Sequence, residues 1–166
     1  MSRPANLTLR LAKEEDDVYL KKWLLDPEIS RWFPMLDEPE IEDSVKIWCS
    51  YNKLNCGLTA LWNNEPCGTC VLYLQPFKKL AHTCLFSIIV DPEMRGKGIG
   101  TALLEDLITL ARDQFHIEIL HLEVYEENPA KRLYERMGFV LFGEHKCFTK
   151  EEGRYRSKLF MQKILK

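Results

Sequence analysis

A glycine-rich turn between a predicted strand and a predicted helix constrains the fold of this chain more than any other feature. The turn, residues 95–100, reads Arg-Gly-Lys-Gly-Ile-Gly. It follows an apolar, β-rich run at 85–90 and precedes a strongly helical run at 101–115. In such a unit the backbone N–H groups converge, the helix dipole adds partial positive charge, and two cationic side chains flank the turn. The sequence therefore predicts a site for a phosphate-bearing ligand.

The remaining segments predict an α/β fold around this unit. Alternating or continuous apolar runs predict strands, stripes at helical spacing predict helices, and Asn128-Pro129 and Gly138 are the start and stop signals of the last helix. Strands are expected at 7–11, 58–62, 69–74, 83–90, 117–125, 139–148 and 155–164, and helices at 14–25, 42–51, 101–115 and 128–137. This order predicts a mixed sheet with helices on both faces, formed by a single domain of residues 1–166.

Composition and charge argue against several classes of function. The chain has 166 residues and a net charge of −2, which disfavours nucleic acid as the main ligand. No apolar run is long enough to cross a membrane, and the first residues lack the apolar core of a secretory signal. The six cysteines are scattered, which favours reduced thiols in a cytoplasmic protein. Cys67 and Cys70 lie three apart on a predicted strand and so point to opposite faces, and no metal site is predicted.

Two common nucleotide motifs are not present at the turn. The chain has no G-x-x-x-x-G-K-[ST] string. The dinucleotide pattern G-x-G-x-x-G fails, because its last place falls on Thr101 or on Leu103. That pattern also follows the first strand of a βαβ unit, whereas this turn follows the fourth predicted strand.

The turn fits the pattern [Q/R]-x-x-G-x-[G/A] after a strand that ends Val-Asp-Pro. This resembles the acetyl-CoA pyrophosphate loop of the GNAT N-acetyltransferase superfamily. The segment Leu122-Glu123-Val124 and the A-x-x-L-Y-x-x-x-G-F pattern of residues 130–139 are also similar to the family. These segments resemble the RimI-type ribosomal-protein acetyltransferases, whereas the N-terminal half is more similar to RimJ- and RimL-like enzymes and some aminoglycoside acetyltransferases.

The resemblance implies the GNAT fold, which is a mostly antiparallel central sheet of about seven strands with helices on both faces. It implies acetyl-CoA as the co-substrate and no metal. The implied cofactor-binding residues are Ile88, Ile89, Val90, Arg95, Gly96, Lys97, Gly98, Ile99, Gly100, Thr101, Asn128, Ala130 and Tyr134. The family's usual Asn falls at Glu127 here, and the Asn follows at position 128.

Acetyl transfer to an amine requires a base, an oxyanion site and a proton for the leaving thiolate. The resemblance implies that Tyr134 is the general acid. It implies that Glu123, a carboxylate within an apolar strand, is the base and acts through water. The position on strand four where other members carry the base is Cys84 here. His82, or water alone, remains an alternative base.

The acceptor pocket is predicted around the aromatic and acidic segment 28–40. In the family this region shapes the pocket, and Glu28, Trp32 and Phe33 would suit a cationic amine. The acceptor is expected to be a protein N-terminal α-amine or a small amine. An aminoglycoside or polyamine, or a non-catalytic acyl-CoA-binding domain, are the alternatives. The chain is expected to be a monomer or a homodimer.

Overall fold

The computed structural model describes residues 2–166, and its centre is one seven-stranded sheet. The strands are β1 (Leu7–Leu11), β2 (Gly57–Trp62), β3 (Glu65–Tyr73), β4 (Thr83–Val90), β5 (Ile119–Tyr125), β6 (Val140–Glu151) and β7 (Arg154–Ile164). Their order in the sheet is β1-β2-β3-β4-β5-β7-β6. Every neighbouring pair is antiparallel except β4 and β5, which are parallel. The predicted fold class is confirmed.

Five α-helices accompany the sheet within residues 2–166, one more than the sequence predicted. They are α1 (Asp17–Leu25), α2 (Pro27–Ser30), α3 (Glu38–Asn52), α4 (Ile99–Asp113) and α5 (Lys131–Arg136). The prediction treated Asp26-Pro27 as a turn, but the Asp26 carboxylate accepts the Glu28 N–H and starts the single-turn α2. Helix α3 begins four residues before its predicted start because Asp37 caps it and Pro39 is tolerated in its first turn.

The helices pack on opposite faces of the sheet and form two cores. On one face α4 buries an apolar stripe that includes Leu103, Leu104 and Leu107, none of which is exposed to solvent. On the other face α1 and α3 pack over Val71 and Ile89. The second group of helices covers only the β1–β4 half of its face, so β5 and β7 remain accessible there.

The parallel pair β4 and β5 separates before either strand ends. Pairing covers only Thr83–Leu85 and Ile119–His121. Beyond these residues the two strands diverge toward the end of β4 at which the glycine turn follows. The fold therefore opens a cleft beside the predicted phosphate site.

Candidate active site

A cleft of about 1390 Å³ occupies the space where β4 and β5 diverge. Its walls also include the glycine turn, the first residues of α4, helix α5 and the segment after α2. The predicted site residues that line it are Trp32, Phe33, Ile88, Ile89, Val90, Arg95, Gly96, Lys97, Gly98, Ile99, Gly100, Thr101, Glu123, Asn128, Ala130 and Tyr134. Glu28 does not line it. One continuous space thus brings together residues from both halves of the sequence.

The glycine turn has the backbone geometry that an anion site requires. Gly96 and Gly98 have φ values of +76° and +79°, in the left-handed region that side-chain-bearing residues rarely adopt. Gly100 serves a different purpose, because a Cβ there would lie 3.2 Å from Leu133 of α5. Helix α4 begins at Ile99, so its first N–H groups lack intrahelical partners and point toward the cleft end.

Two cations flank this turn and are already oriented. The Arg95 guanidinium donates to the Glu28 carbonyl at 3.3 Å. The Lys97 ammonium lies 5.2 Å from the ring centroid of Trp62, at the end of β2. These contacts hold both side chains at the rim, and neither side chain pairs with a carboxylate of residues 2–166, so their charge is available to an anionic ligand.

Tyr134 lies on the cleft wall formed by α5 and is held by aromatic packing. Its ring meets Phe86 of β4 and Phe139 edge-on, with 6.2 Å between centroids in each case. The residue is only 8% exposed, and this burial raises the pKa of its phenol well above the ordinary value. The hydroxyl therefore stays protonated at neutral pH, as a general acid must.

Glu123 projects from the opposite face of β5 to the one that carries Leu122 and Val124. Those two residues are buried in the core under α4, whereas 40% of the Glu123 side chain is exposed. Its carboxylate accepts a hydrogen bond of 2.8 Å from the Lys158 ammonium. Any proton that Glu123 accepts is thus accepted beside a fixed positive charge.

Tyr125 is a second phenol on this face of the cleft. It is paired with Lys158 across β5 and β7, is 4% exposed and lines the cavity. Within residues 2–166 its hydroxyl has no hydrogen-bond partner. Burial raises the pKa of Tyr125, and the nearby Arg156 partly offsets that effect.

The segment after α2 forms the far wall of the cleft and is held by cations. The Trp32 ring lies 4.9 Å from the Arg31 guanidinium and 5.4 Å from that of Arg156. Arg156 also donates to the Arg31 carbonyl at 2.9 Å, which ties the segment to β7. Trp32 and Phe33 therefore face the cleft from a position that strand β7 fixes.

The expected acidic rim does not face the cleft. Glu28 points toward Arg31 at 4.0 Å, and Asp37 caps α3 through the Glu40 N–H. The Glu40 carboxylate accepts the Leu36 N–H. Helix capping and local ion pairs thus use these carboxylates, and the charges nearest to Trp32 are positive.

Asn128 and His82 occupy different parts of the fold. The Asn128 side-chain oxygen accepts the Ala130 N–H at 2.9 Å and so caps the turn that leads into α5. His82 is exposed at the other end of β4, where its carbonyl accepts the N–H groups of Glu118 and Ile119. His82 does not line the cleft, so its position does not support the alternative base.

Sequence reasoning missed Lys158, Tyr125 and Arg156. Lys158 and Arg156 lie two residues apart on β7 and hence on one face, and the register with β5 places Lys158 opposite Tyr125. The polar alternation along β7 signals a two-faced strand, but only the register reveals which residues its cations meet.

Residues 2–166 contain no group of three His, Cys, Asp or Glu side chains placed to hold a metal ion. Cys67 and Cys70 are buried, and burial raises the pKa of the Cys67 thiol to about 11. None of the helices in the described chain has the length and apolar character needed to cross a membrane.

Comparison with known proteins shows which family this chain resembles. Residues 17–139 match the acetyltransferase (GNAT) family. The L-amino acid N-acetyltransferase AaaT of Escherichia coli K12 is 24% identical over 108 residues, which are 64% of this chain and 67% of that protein. The ribosomal protein bS18-alanine N-acetyltransferase of Haemophilus influenzae is 40% identical over 60 residues, which are 36% of this chain and 40% of that protein. The alignments therefore span only part of these curated relatives.

A solved structure extends the likeness to the whole fold. That structure is yncA from Salmonella typhimurium, solved with its cofactor acetyl-CoA. It superimposes with a TM-score of 0.82 at 22% identity, over 98% of this chain and 95% of that one.

Proposed function

The chain belongs to the GNAT family of acetyl-CoA-dependent N-acetyltransferases, and on that premise we propose that it acetylates the α-amine of a free amino acid by direct attack on the thioester. The observation that carries this proposal is that Glu123 and Tyr134 line one cleft, in which the glycine turn forms one end and the Trp32 segment the other. A base, an acid, an anion site and an acceptor wall thus surround one space.

The donor would occupy the end of the cleft at the glycine turn. The unpartnered N–H groups at the start of α4, with Arg95 and Lys97, suit the pyrophosphate of acetyl-CoA. The pantetheine arm would lie along Ile88–Val90, where the edge of β4 has no pairing with β5. Asn128 and Ala130 would border the arm on the side of α5.

The reacting atoms would meet between Glu123 and Tyr134. Glu123 accepts a proton from the acceptor ammonium through a water molecule, which frees the nitrogen lone pair. The nitrogen then bonds to the thioester carbon, and backbone N–H groups on the open edge of β4 stabilise the oxyanion. Collapse of this intermediate breaks the C–S bond, and the Tyr134 hydroxyl gives its proton to the departing thiolate. The newly acylated nitrogen loses its second proton to water, and proton exchange with water restores the Tyr134 hydroxyl and the Glu123 carboxylate.

The name of the AaaT relative supports a free amino acid as the acceptor. The bS18-alanine relative supports a second candidate, the α-amine of a protein N-terminus. The end of the cleft formed by the Trp32 segment and by β7 is called the acceptor end. A polycationic aminoglycoside or polyamine is disfavoured as the acceptor, because Lys158 and Arg156 place positive charge at this end. A non-catalytic acyl-CoA-binding domain is disfavoured because both Glu123 and Tyr134 are in place.

A panel of amines tests the proposal. CoA release from acetyl-CoA would be measured with the twenty standard L-amino acids, short peptides with free N-termini, spermidine and kanamycin. We expect turnover with at least one free amino acid above that with any other class. Tight acetyl-CoA binding without turnover of any amine would exclude the enzymatic proposal, and turnover of peptides alone would favour the second candidate.

A further inference from the structure

Lys158 carries a nearly buried positive charge at the acceptor end of the cleft, and the proposed mechanism gives this charge no role. Its side chain is 12% exposed, with the ammonium 2.8 Å from Glu123 and 3.6 Å from the ring centroid of Phe148. Withdrawing an ammonium from water is unfavourable unless its hydrogen-bonding groups find partners. Glu123 satisfies one of its three donors, and the residue lines the cleft, so a ligand can meet the others.

The hydroxyl of Tyr125 is a second unexplained polar group beside Lys158. The two residues are directly paired across β5 and β7, so their side chains share one face. The Tyr125 hydroxyl is buried without a hydrogen-bond partner in the described chain, and the residue lines the same cleft. A buried hydroxyl without a hydrogen-bond partner destabilises the protein, and a hydrogen bond to a ligand atom would remove that cost.

The charges that face this point set the sign of such a ligand. Lys158 and Arg156 project from one face of β7, two residues apart, and Arg156 donates to the Arg31 carbonyl beside Trp32. Glu123 from β5 pairs with Lys158, Glu151 of β6 also raises the pKa of Tyr125, and Arg31 lies beyond Trp32. An anionic ligand group satisfies the ammonium and the hydroxyl together.

We propose that Lys158 and the Tyr125 hydroxyl bind a carboxylate on the acceptor and make the enzyme specific for α-amino acids. This inference rests on the proposed function and assigns two specificity residues to it. In an α-amino acid the ammonium and carboxylate are adjacent, as the Glu123 carboxylate and the Lys158 ammonium are. The acceptor nitrogen faces Glu123 across the bridging water while its carboxylate meets Lys158 and Tyr125, so opposite charges face each other at both positions.

The same arrangement discriminates against other amines. A protein N-terminus carries an amide where a free amino acid carries its carboxylate, so it leaves the Lys158 ammonium without its second partner. A polyamine adds positive charge beside Lys158. Charged hydrogen bonds are stronger than neutral ones, and their loss lowers kcat/KM for such acceptors.

The test compares one amino acid with its own carboxamide. The probe is whichever standard L-amino acid the wild type acetylates best, assayed beside the matching primary amide. In the wild type we expect kcat/KM for the acid to exceed that for the amide roughly 10- to 100-fold. Lys158→Met should remove most of this preference by lowering kcat/KM for the acid, with the amide changed by less than about threefold. Tyr125→Phe should reduce the preference by roughly threefold to tenfold.

Lys150→Met is the matched control, because Lys150 is exposed on β6 and faces Tyr155 away from the cleft. Its preference should equal that of the wild type. Equal losses for acid and amide in Lys158→Met would overturn the inference, since Lys158 would then only position Glu123. Equal wild-type rates on acid and amide would also overturn it while leaving the proposed function intact. Failure to acetylate any free amino acid would contradict the proposed function itself.

Discussion

The two ends of the cleft are built in different ways. The donor end consists of contiguous sequence, in which β4, the glycine turn and α4 follow one another directly. The acceptor end is assembled from three distant segments: the Trp32 segment, the end of β5 and the middle of β7. Contacts such as that between Arg156 and the Arg31 carbonyl hold those segments together. A ligand common to a family can thus be bound by a local motif, whereas acceptor choice depends on long-range register.

The largest effect is expected between the two ends, where the chemistry takes place. Tyr134→Phe removes only the hydroxyl and keeps the ring packed against Phe86 and Phe139. We expect kcat to fall roughly 10²- to 10⁴-fold, because the thiolate would lose its proposed proton donor. Steady-state CoA release measures this effect. Acetyl-CoA affinity and the melting temperature are the controls and should stay unchanged.

Glu123→Gln should lower kcat/KM for the acceptor by roughly 10²-fold, since the amide cannot take a proton. Steady-state CoA release at a fixed acetyl-CoA concentration measures this effect. An unaltered rate would remove Glu123 as the base. Lys158→Met is the companion variant, because it keeps the Glu123 carboxylate and removes the ammonium that pairs with it.

Strain in the glycine turn should weaken acetyl-CoA binding without affecting the acceptor. Gly98→Ala places a side chain at φ +79°, which costs roughly 1–2 kcal/mol in the left-handed region. We expect the KM for acetyl-CoA to rise roughly tenfold with little change in the acceptor KM.

The matched control for that variant is Gly153→Ala in the turn between β6 and β7. It has a similar φ of +77° and open space around the added Cβ, but lies away from the cleft. Equal effects of the two variants on the KM for acetyl-CoA would contradict a specific role for the glycine turn.

A smaller effect should separate the acceptor end from the donor end. Trp32→Ala removes one aromatic wall, and we expect the acceptor KM to rise about fivefold while the KM for acetyl-CoA is unchanged. Trp62→Ala is its counterpart, because Trp62 stacks on Lys97 beside the glycine turn. Two-substrate kinetics for Trp62→Ala should show a raised KM for acetyl-CoA and an unchanged acceptor KM. If both variants raised the same KM, the two ends would not be separable.

The smallest expected effect concerns the pH dependence of the rate, to which ionisation of Tyr134 should contribute nothing. Burial raises the pKa of this phenol above its ordinary value near 10, so the protonated, donating form persists below pH 10. Its acid function is lost only as the pH rises through the raised value. Rates with saturating acceptor should therefore show no decline due to Tyr134 between pH 7 and 10. A falling limb in that range that disappears in Tyr134→Phe would contradict this assignment.

The contrast between the two ends also explains what the sequence could predict. The strand, turn and helix at the donor end were placed within two residues, because contiguous periodicity and glycine spacing carry that information. The opposed faces of β5 followed from the alternation around Glu123. Helix α2 was missed because four residues are too few to show a helical period.

The acceptor end could not be predicted to the same depth. Whether a carboxylate faces the cleft depends on helix capping, and Asp37 turned out to cap α3. The pairing of Lys158 with Glu123 depends on the β5–β7 register, to which no local pattern corresponds. The positive charge at this end is thus a property of the assembled sheet.

The most direct test of the account is to identify the product chemically. The purified protein would be incubated with acetyl-CoA and an equimolar mixture of L-amino acids and peptides with free N-termini, and the products analysed by mass spectrometry. We expect N-acetyl amino acids that form with release of CoA, and none in parallel reactions of Tyr134→Phe on the same time scale. Acetylation of the peptides alone, or free amino acids left unmodified while acetyl-CoA stays intact, would contradict it.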